Sequence, residues 1–123
     1  MSCILVIDDD PQIQVMLRQM LGREGYEVEI AANGLEGIKV CGQKQIDLVI
    51  TDIFMPEKEG LETISDLKRD YPGIPIIAMS GGSKTVGRPK QWLYLATKLG
   101  ASSLEKPIRK EDLLNTVKSI LSK

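Results

Sequence analysis

Apolar residues along this chain fall into short continuous runs that alternate with stretches of helical period, five times over. The first run, Cys3–Ile7, is apolar at every position, which predicts a strand covered on both faces. Ile13, Met16, Leu17, Met20 and Leu21 then follow the i, i+3, i+4, i+7, i+8 spacing of one helix face. Pro11 suits the first turn of that helix and Asp10 its N-cap. Glu27–Ala31 alternates acid and apolar residues, the pattern of an edge strand. Asn33, with Glu36 three residues on, resembles a capping box for a helix reaching about Gly42.

The alternation continues to the end of the chain. Asp47–Thr51 reads as a third strand, followed by a loop through Pro56 and a helix carrying Leu61, Ile64 and Leu67. Pro75–Met79 reads as a fourth strand, and the glycine-rich stretch from Gly81 to Pro89 as the most flexible segment. A helix over about Lys90–Leu99 buries some of Trp92, Leu95, Ala96 and Leu99, and Gly100 ends it. A short polar strand over Ser102–Glu105 precedes a last helix, about Lys110–Leu121, with Leu113, Leu114, Val117, Ile120 and Leu121 at helical spacing.

Strands one, three and four are continuously apolar, whereas two and five are more polar, so the former belong in the middle of a sheet. This predicts an α/β fold: a doubly wound, five-stranded parallel sheet in the order 2-1-3-4-5, flavodoxin-like (βα)5, with right-handed crossovers placing helices on both faces. At 123 residues the chain has room for one domain, read here as 1–123. No apolar run exceeds five residues and no basic leader precedes the first strand, so the expectation is a cytoplasmic protein with no membrane insertion.

Charge changes the picture more than composition does. The net charge is −1, but residues 1–83 hold 7 basic and 14 acidic residues, while 84–110 hold seven bases against Glu105 alone. That is an acidic region beside a mildly basic face, without the global excess of bases expected of a direct nucleic-acid binder. The chain has no histidine, which excludes a histidine base, a histidine metal ligand and a phosphohistidine of its own. Cys3 and Cys41 have no metal-ligand spacing and read as buried, reduced thiols.

The candidate chemistry sits where the strands end. Strand one runs into Asp8-Asp9-Asp10, strand three into Asp52, strand four into Ser80, and strand five into Lys106. In the order 2-1-3-4-5 the winding reverses between strands one and three, where such sheets bind ligands, so Asp8, Asp9 and Asp52 meet at that switch point. Three carboxylates within about 4–6 Å raise one another's pKa, and a divalent cation relieves the conflict. Oxygen ligands with no histidine or cysteine suit Mg²⁺ or Mn²⁺. Magnesium takes only one or two protein carboxylates, which leaves another to act as a nucleophile. Lys106 adds a point charge and Ser80 a hydroxyl. Asp10 reads as a helix cap, not a ligand.

The stretches Val6-Ile7-Asp8-Asp9-Asp10-Pro11, Asp47 to Pro56, Ile77-Ala78-Met79-Ser80-Gly81 and Glu105-Lys106-Pro107 together resemble the receiver domain of bacterial two-component response regulators. The resemblance covers essentially the whole chain. It implies a signalling domain, not a conventional enzyme, in which Asp52 accepts a phosphoryl group from a histidine kinase or histidine phosphotransfer protein. It implies that Asp9, Asp52 and the backbone carbonyl of Phe54 bind Mg²⁺, with Asp8 acting partly through water. It further implies that Lys106 and Ser80 contact the new phosphoryl group, and that the face of the fourth helix, fifth strand and last helix meets a downstream protein. The Lys106-Pro107 bond is cis in that family. Two other readings compete: a haloacid-dehalogenase-like phosphatase with Asp8 as nucleophile, and a non-phosphorylated module that keeps the fold alone.

Two features depart from the family pattern. The strand-five switch residue is usually Tyr or Phe, whereas here the candidates are Leu104 and Ser103. Phe54 and Gly82, each two residues past a site residue, also lack side chains that could hydrogen-bond an attacking water. We therefore expect slow self-dephosphorylation. Decay of the phosphorylated chain should accelerate in Phe54→Asn, and equal or slower decay in that variant would contradict the expectation.

Overall fold

Continuous apolar runs become central strands because a parallel strand buried on both faces needs apolar side chains at every position. In the computed structural model, which describes residues 1–53, 60–81, 94 and 96–122, these runs form β1 (Cys3–Ile7), β3 (Leu48–Asp52) and β4 (Ile76–Gly81). The more polar β2 (Glu27–Ala31) and β5 (Ser102–Lys106) flank them. All five strands pair in parallel in the order β2-β1-β3-β4-β5, as the polarity pattern predicts. The helices described from end to end are α1 (Pro11–Arg23), α2 (Gly34–Gln43), α3 (Gly60–Asp70) and a C-terminal helix, Lys110–Leu121.

The two-residue period of the strands sorts one apolar run into two cores. Cys3, Leu5 and Ile7 of β1 join Val49, Ile76 and Ala78 under α2 and α3, against Cys41, Ile64 and Leu67. Ile4 and Val6 join Leu48, Ile50, Ile77 and Met79 on the opposite face, against Leu17 and Leu21 of α1 and Leu113, Leu114 and Val117 of the C-terminal helix. Of the stripe expected on α1, only Leu17 and Leu21 are fully covered, while Ile13, Met16 and Met20 pack at its margin. Both cysteines are buried free thiols.

Several strand boundaries move toward the candidate site. β3 keeps pairing to Asp52, opposite Met79 of β4, so Asp52 is a strand residue and not a loop residue. β4 and β5 likewise extend to Gly81 and Lys106, which lie opposite each other. The helix expected over Lys90–Leu99 falls mostly outside the described residues, including Trp92 and Leu95. Tyr94 and Ala96–Lys98 are helical, Ala96 is buried and Leu99 is 39% exposed. Gly100 ends this helix at φ +98°, a left-handed conformation that favours glycine, and the Ala101 amide donates back to the Ala96 carbonyl. The loop through Pro56 and the segment from Gly82 to Pro89 also lie outside the described residues.

Two glycines give opposite expectations. A Cβ on Gly22, late in α1, would meet nothing within 4 Å. A Cβ on Gly60, at the start of α3, would collide with the Asp52 carbonyl and the Ile53 Cα, backbone atoms that cannot step aside. Gly22→Ala should therefore raise unfolding stability by about 0.5–1 kcal/mol. Gly60→Ala should lower it by about 1–3 kcal/mol. Urea unfolding of both variants checks the pair, and a neutral Gly60→Ala would refute the tight α3–β3 approach.

Candidate functional site

The parallel sheet fixes which strand ends meet. Just past β1, the Asp8 amide donates to the Ala31 carbonyl at the end of β2, which extends the ladder one step and holds the Asp8 main chain against the sheet (3.1 Å). Asp10 then caps α1: its carboxylate accepts from the Gln12 amide at 2.9 Å, with Pro11 in the first turn. The Asp10 amide donates to Asp8 Oδ1 at 2.9 Å. The acidic triplet is thus a short turn in which Asp8 and Asp10 have backbone work, as the cap reading of Asp10 anticipates.

Across the sheet, Asp52 ends β3 and Lys106 ends β5. Lys106 Nζ lies 3.1 Å from Asp52 Oδ2 and 3.2 Å from Asp8 Oδ2, so a single ammonium spans two carboxylates that are 44 residues apart in sequence. The side chains of Asp8, Asp52 and Lys106 are 0%, 3% and 14% exposed. Asp9 is half-buried beside them, and each of Asp8, Asp9 and Asp52 offers an oxygen within 4.8 Å of the others. An all-oxygen cluster of this kind suits a hard divalent cation such as Mg²⁺. The Lys106-Pro107 peptide that follows β5 is cis.

Burial raises the Asp8 carboxyl above the usual carboxylate range, and the Asp10 amide and Lys106 pull it back only in part. The neighbouring Asp52 charge adds to the rise as a smaller contribution, so desolvation outweighs the mutual repulsion anticipated from the sequence. Burial alone would lower the Lys106 ammonium, but Asp52 and Asp8 outweigh it and hold Lys106 above its ordinary value. Lys106 at 3.1 Å from one carboxylate gains about 5 kcal/mol at an effective dielectric of 20. Desolvation costs several kcal/mol for each buried ion, so the cluster is not a net source of stability. Its arrangement makes sense as a site, not as a staple.

Ser80 lies in β4, opposite Glu105 and one residue past the partner of Asp52. This places its main chain on the same sheet edge; its side chain is not among the described atoms. The Phe54 carbonyl is outside the described residues. The two switch candidates in β5 separate by face. Leu104, opposite Met79, packs at the margin of the core under α1 and the C-terminal helix. Ser103, opposite Ala78, is exposed.

Three contacts escape a reading of the sequence. The Gln14 side-chain amide donates to the Asp8 carbonyl at 2.6 Å. The Thr51 hydroxyl, fully buried, donates to the Asp52 carbonyl at 3.1 Å. Gly60 admits the α3 start against Asp52 and donates its amide to the Ile53 carbonyl at 3.1 Å. A polar residue ending a buried strand was a visible signal for Thr51; Gln14 and Gly60 carried none.

The chain matches the family described as the response regulator receiver domain over residues 4–118. The transcriptional regulatory protein GlrR of Escherichia coli is 32% identical over 119 residues, which cover 96% of this chain and 26% of that protein. Among solved structures, the chemotaxis protein CheY4 of Vibrio cholerae superposes at a TM-score of 0.85 with 31% identity, covering 98% of this chain and 99% of that one. A receiver domain protein of Clostridium thermocellum superposes at 0.89 with 30% identity, covering 99% and 95%. The chain spans 26% of the length of GlrR and 51% of that of a CpxR homolog of Haemophilus influenzae. With the family match running from β1 into the C-terminal helix, and the same fold in these neighbours, the chain belongs to the response regulator receiver domain family.

Proposed function

We propose that this receiver domain takes a phosphoryl group onto Asp52 from the phosphohistidine of a histidine kinase or histidine phosphotransfer protein. The observation that carries the reading is the Lys106 ammonium seated on both Asp52 and Asp8, beside an oxygen cluster completed by Asp9. An Asp52 oxygen attacks phosphorus, the phosphorus–nitrogen bond of the donor breaks, and the leaving imidazole takes a proton from solvent. Lys106 holds Oδ2 of Asp52, which fixes the rotation of the carboxylate and the direction in which its other oxygen points. Once the acyl phosphate forms, Lys106 stays within reach of its oxygens, and Ser80 on the neighbouring strand supplies a hydroxyl.

Asp8, Asp9 and Asp52 would hold Mg²⁺, with the Phe54 carbonyl as a further ligand. Bound there, the ion neutralises charge on the phosphoryl oxygens. The added phosphate brings roughly −1.5 to −2 charges to a site that already has an excess of carboxylates. That charge change is the driving force for a shift in the face near Tyr94, β5 and the C-terminal helix, which would meet the downstream protein partner. Among the described residues no helix is long and apolar enough to cross a membrane. The reading makes the domain a phosphorelay component of the cytoplasm that acts through protein contact and does not bind nucleic acid itself.

Incubation with Mg²⁺ and a small acyl phosphate, followed by mass mapping, should give one phosphoryl group on Asp52 and none in Asp52→Asn. A label on Asp8 instead would return the phosphatase reading, and no label would contradict both.

The raised Asp8 carboxyl sets the pH dependence. Its folded-state pKa lies above the unfolded one, so Asp8's own contribution to metal-free stability grows as pH falls through the raised value and levels off below 3.8. Metal binding needs the same carboxylate deprotonated, and acid therefore opposes it. The rise in thermal midpoint produced by Mg²⁺ should shrink as pH falls through the raised Asp8 value toward 3.8. A rise that stays constant as pH falls to 3.8 would remove Asp8 from the metal site.

A further inference from the structure

The turn that carries the acidic pair is held from one side chain. Gln14 is half-buried in the second turn of α1, off the apolar stripe of that helix. Its side-chain amide donates to the Asp8 carbonyl at 2.6 Å, and a carbonyl can only accept, so the amide nitrogen faces it. Its own backbone amide donates to the Asp10 carbonyl at 3.1 Å. Gln14 thus grips the Asp8–Asp9 and Asp10–Pro11 peptide units. The peptide between those two is fixed from the other direction, by the Asp10 amide on Asp8 Oδ1.

The Asp8 carbonyl needs such a partner. β1 ends at Ile7, and β3, the central neighbour of β1, pairs with it only as far as Ile7 opposite Thr51. A carbonyl just beyond a strand, at a half-buried edge, costs free energy unless a donor meets it. Among the hydrogen bonds of the described residues, the donor to this carbonyl comes from α1, six residues along the chain. Rotation of the Asp8–Asp9 peptide would break that bond and swing the Asp9 carboxylate relative to Asp8 and Asp52.

We infer that Gln14 is a positioning residue: its amide, by clamping the Asp8 carbonyl, sets the orientation of the Asp8–Asp9 pair toward a divalent cation. The inference rests on the receiver reading and deepens it. Partners that lie behind metal ligands typically tune affinity by about 10–100-fold. The clamp also bears on which ion is favoured. Magnesium demands near-ideal octahedral geometry, whereas calcium accepts irregular coordination. A turn free to rotate therefore penalises magnesium more.

Gln14→Met keeps length and neutrality but removes the donor, and Gln14→Leu does the same with a shorter side chain. Calorimetric titration of the metal-free chain with Mg²⁺ and with Ca²⁺ reads the effect directly, alongside the thermal midpoint without metal. Both variants should bind Mg²⁺ about tenfold more weakly, with a clearly smaller loss for Ca²⁺, so that the Mg²⁺/Ca²⁺ affinity ratio falls. Mg²⁺ affinity within twofold of the parent, or a lower midpoint with an unchanged affinity ratio, would overturn the role of Gln14 while leaving the receiver reading intact. If the parent chain itself bound no Mg²⁺, the receiver reading would fall first and this inference with it.

Discussion

Among the described residues, three carboxylates share a sheet edge with the Lys106 ammonium, and this crowding of charge constrains everything around it. Lys106 touches two of the acids, but an attraction of a few kcal/mol per contact does not offset the desolvation of every ion present. The burial of Asp8 registers this cost as a proton held more tightly than usual. Such a cluster persists only if the scaffold around it is stable for other reasons. Those reasons are the two apolar cores, which cover β1, β3 and β4 on both faces and do not involve the acids. The stability of the fold and the cost of the site are thus drawn from separate sets of residues.

Position is the other half of the constraint. In a parallel sheet the register alone decides which strand ends become neighbours, and here β1 pairs with β3 while β4 separates β3 from β5. Lys106 reaches Asp52 across β4, opposite Gly81, a residue with no side chain to intervene. The close approach of Gly60 to the Asp52 carbonyl and the hydroxyl of Thr51 on that same carbonyl fix the Asp52 main chain from two more directions. The acidic turn after β1 is held likewise, by the Asp10 cap and by Gln14. Asp8 and Asp52 therefore stand on backbone whose carbonyls are bound.

Much of this was legible in the sequence. Asp8, Asp9, Asp52 and Lys106 each follow a strand-like run, and strand polarity alone placed β2 and β5 at the edges, so the topology and the meeting of the four residues followed from period and order. The capping reading of Asn33 was legible too: its carboxamide oxygen accepts from the Glu36 amide at 3.0 Å. The return contact was not, since Glu36 accepts from the Asn33 side chain at 3.1 Å and not from the backbone. Strand ends were misplaced by a residue or two because Asp52 and Gly81 are poor strand formers that tertiary pairing nonetheless holds in the ladder. Gln14 was illegible for a different reason. A glutamine on a half-exposed helix face looks like solvated surface, and only the fold reveals the carbonyl it meets.

The same distinction separates Leu104 from Ser103. Spacing from Lys106 made both candidates for a switch, but adjacent residues of a strand point to opposite faces, so they cannot share one. Leu104 is engaged with the core beneath α1 and the C-terminal helix, and moving it would disturb apolar packing. Ser103 is exposed, and a hydroxymethyl group is too small to connect the sheet edge to the surface by changing rotamer. A rotating aromatic relay therefore has no physical counterpart at either position. What does join the site to the outer strand is the β4–β5 ladder, where Ser80 faces Glu105 and Gly81 faces Lys106. Lys106 is at once the partner of Asp52 and Asp8 and the last residue of the edge strand.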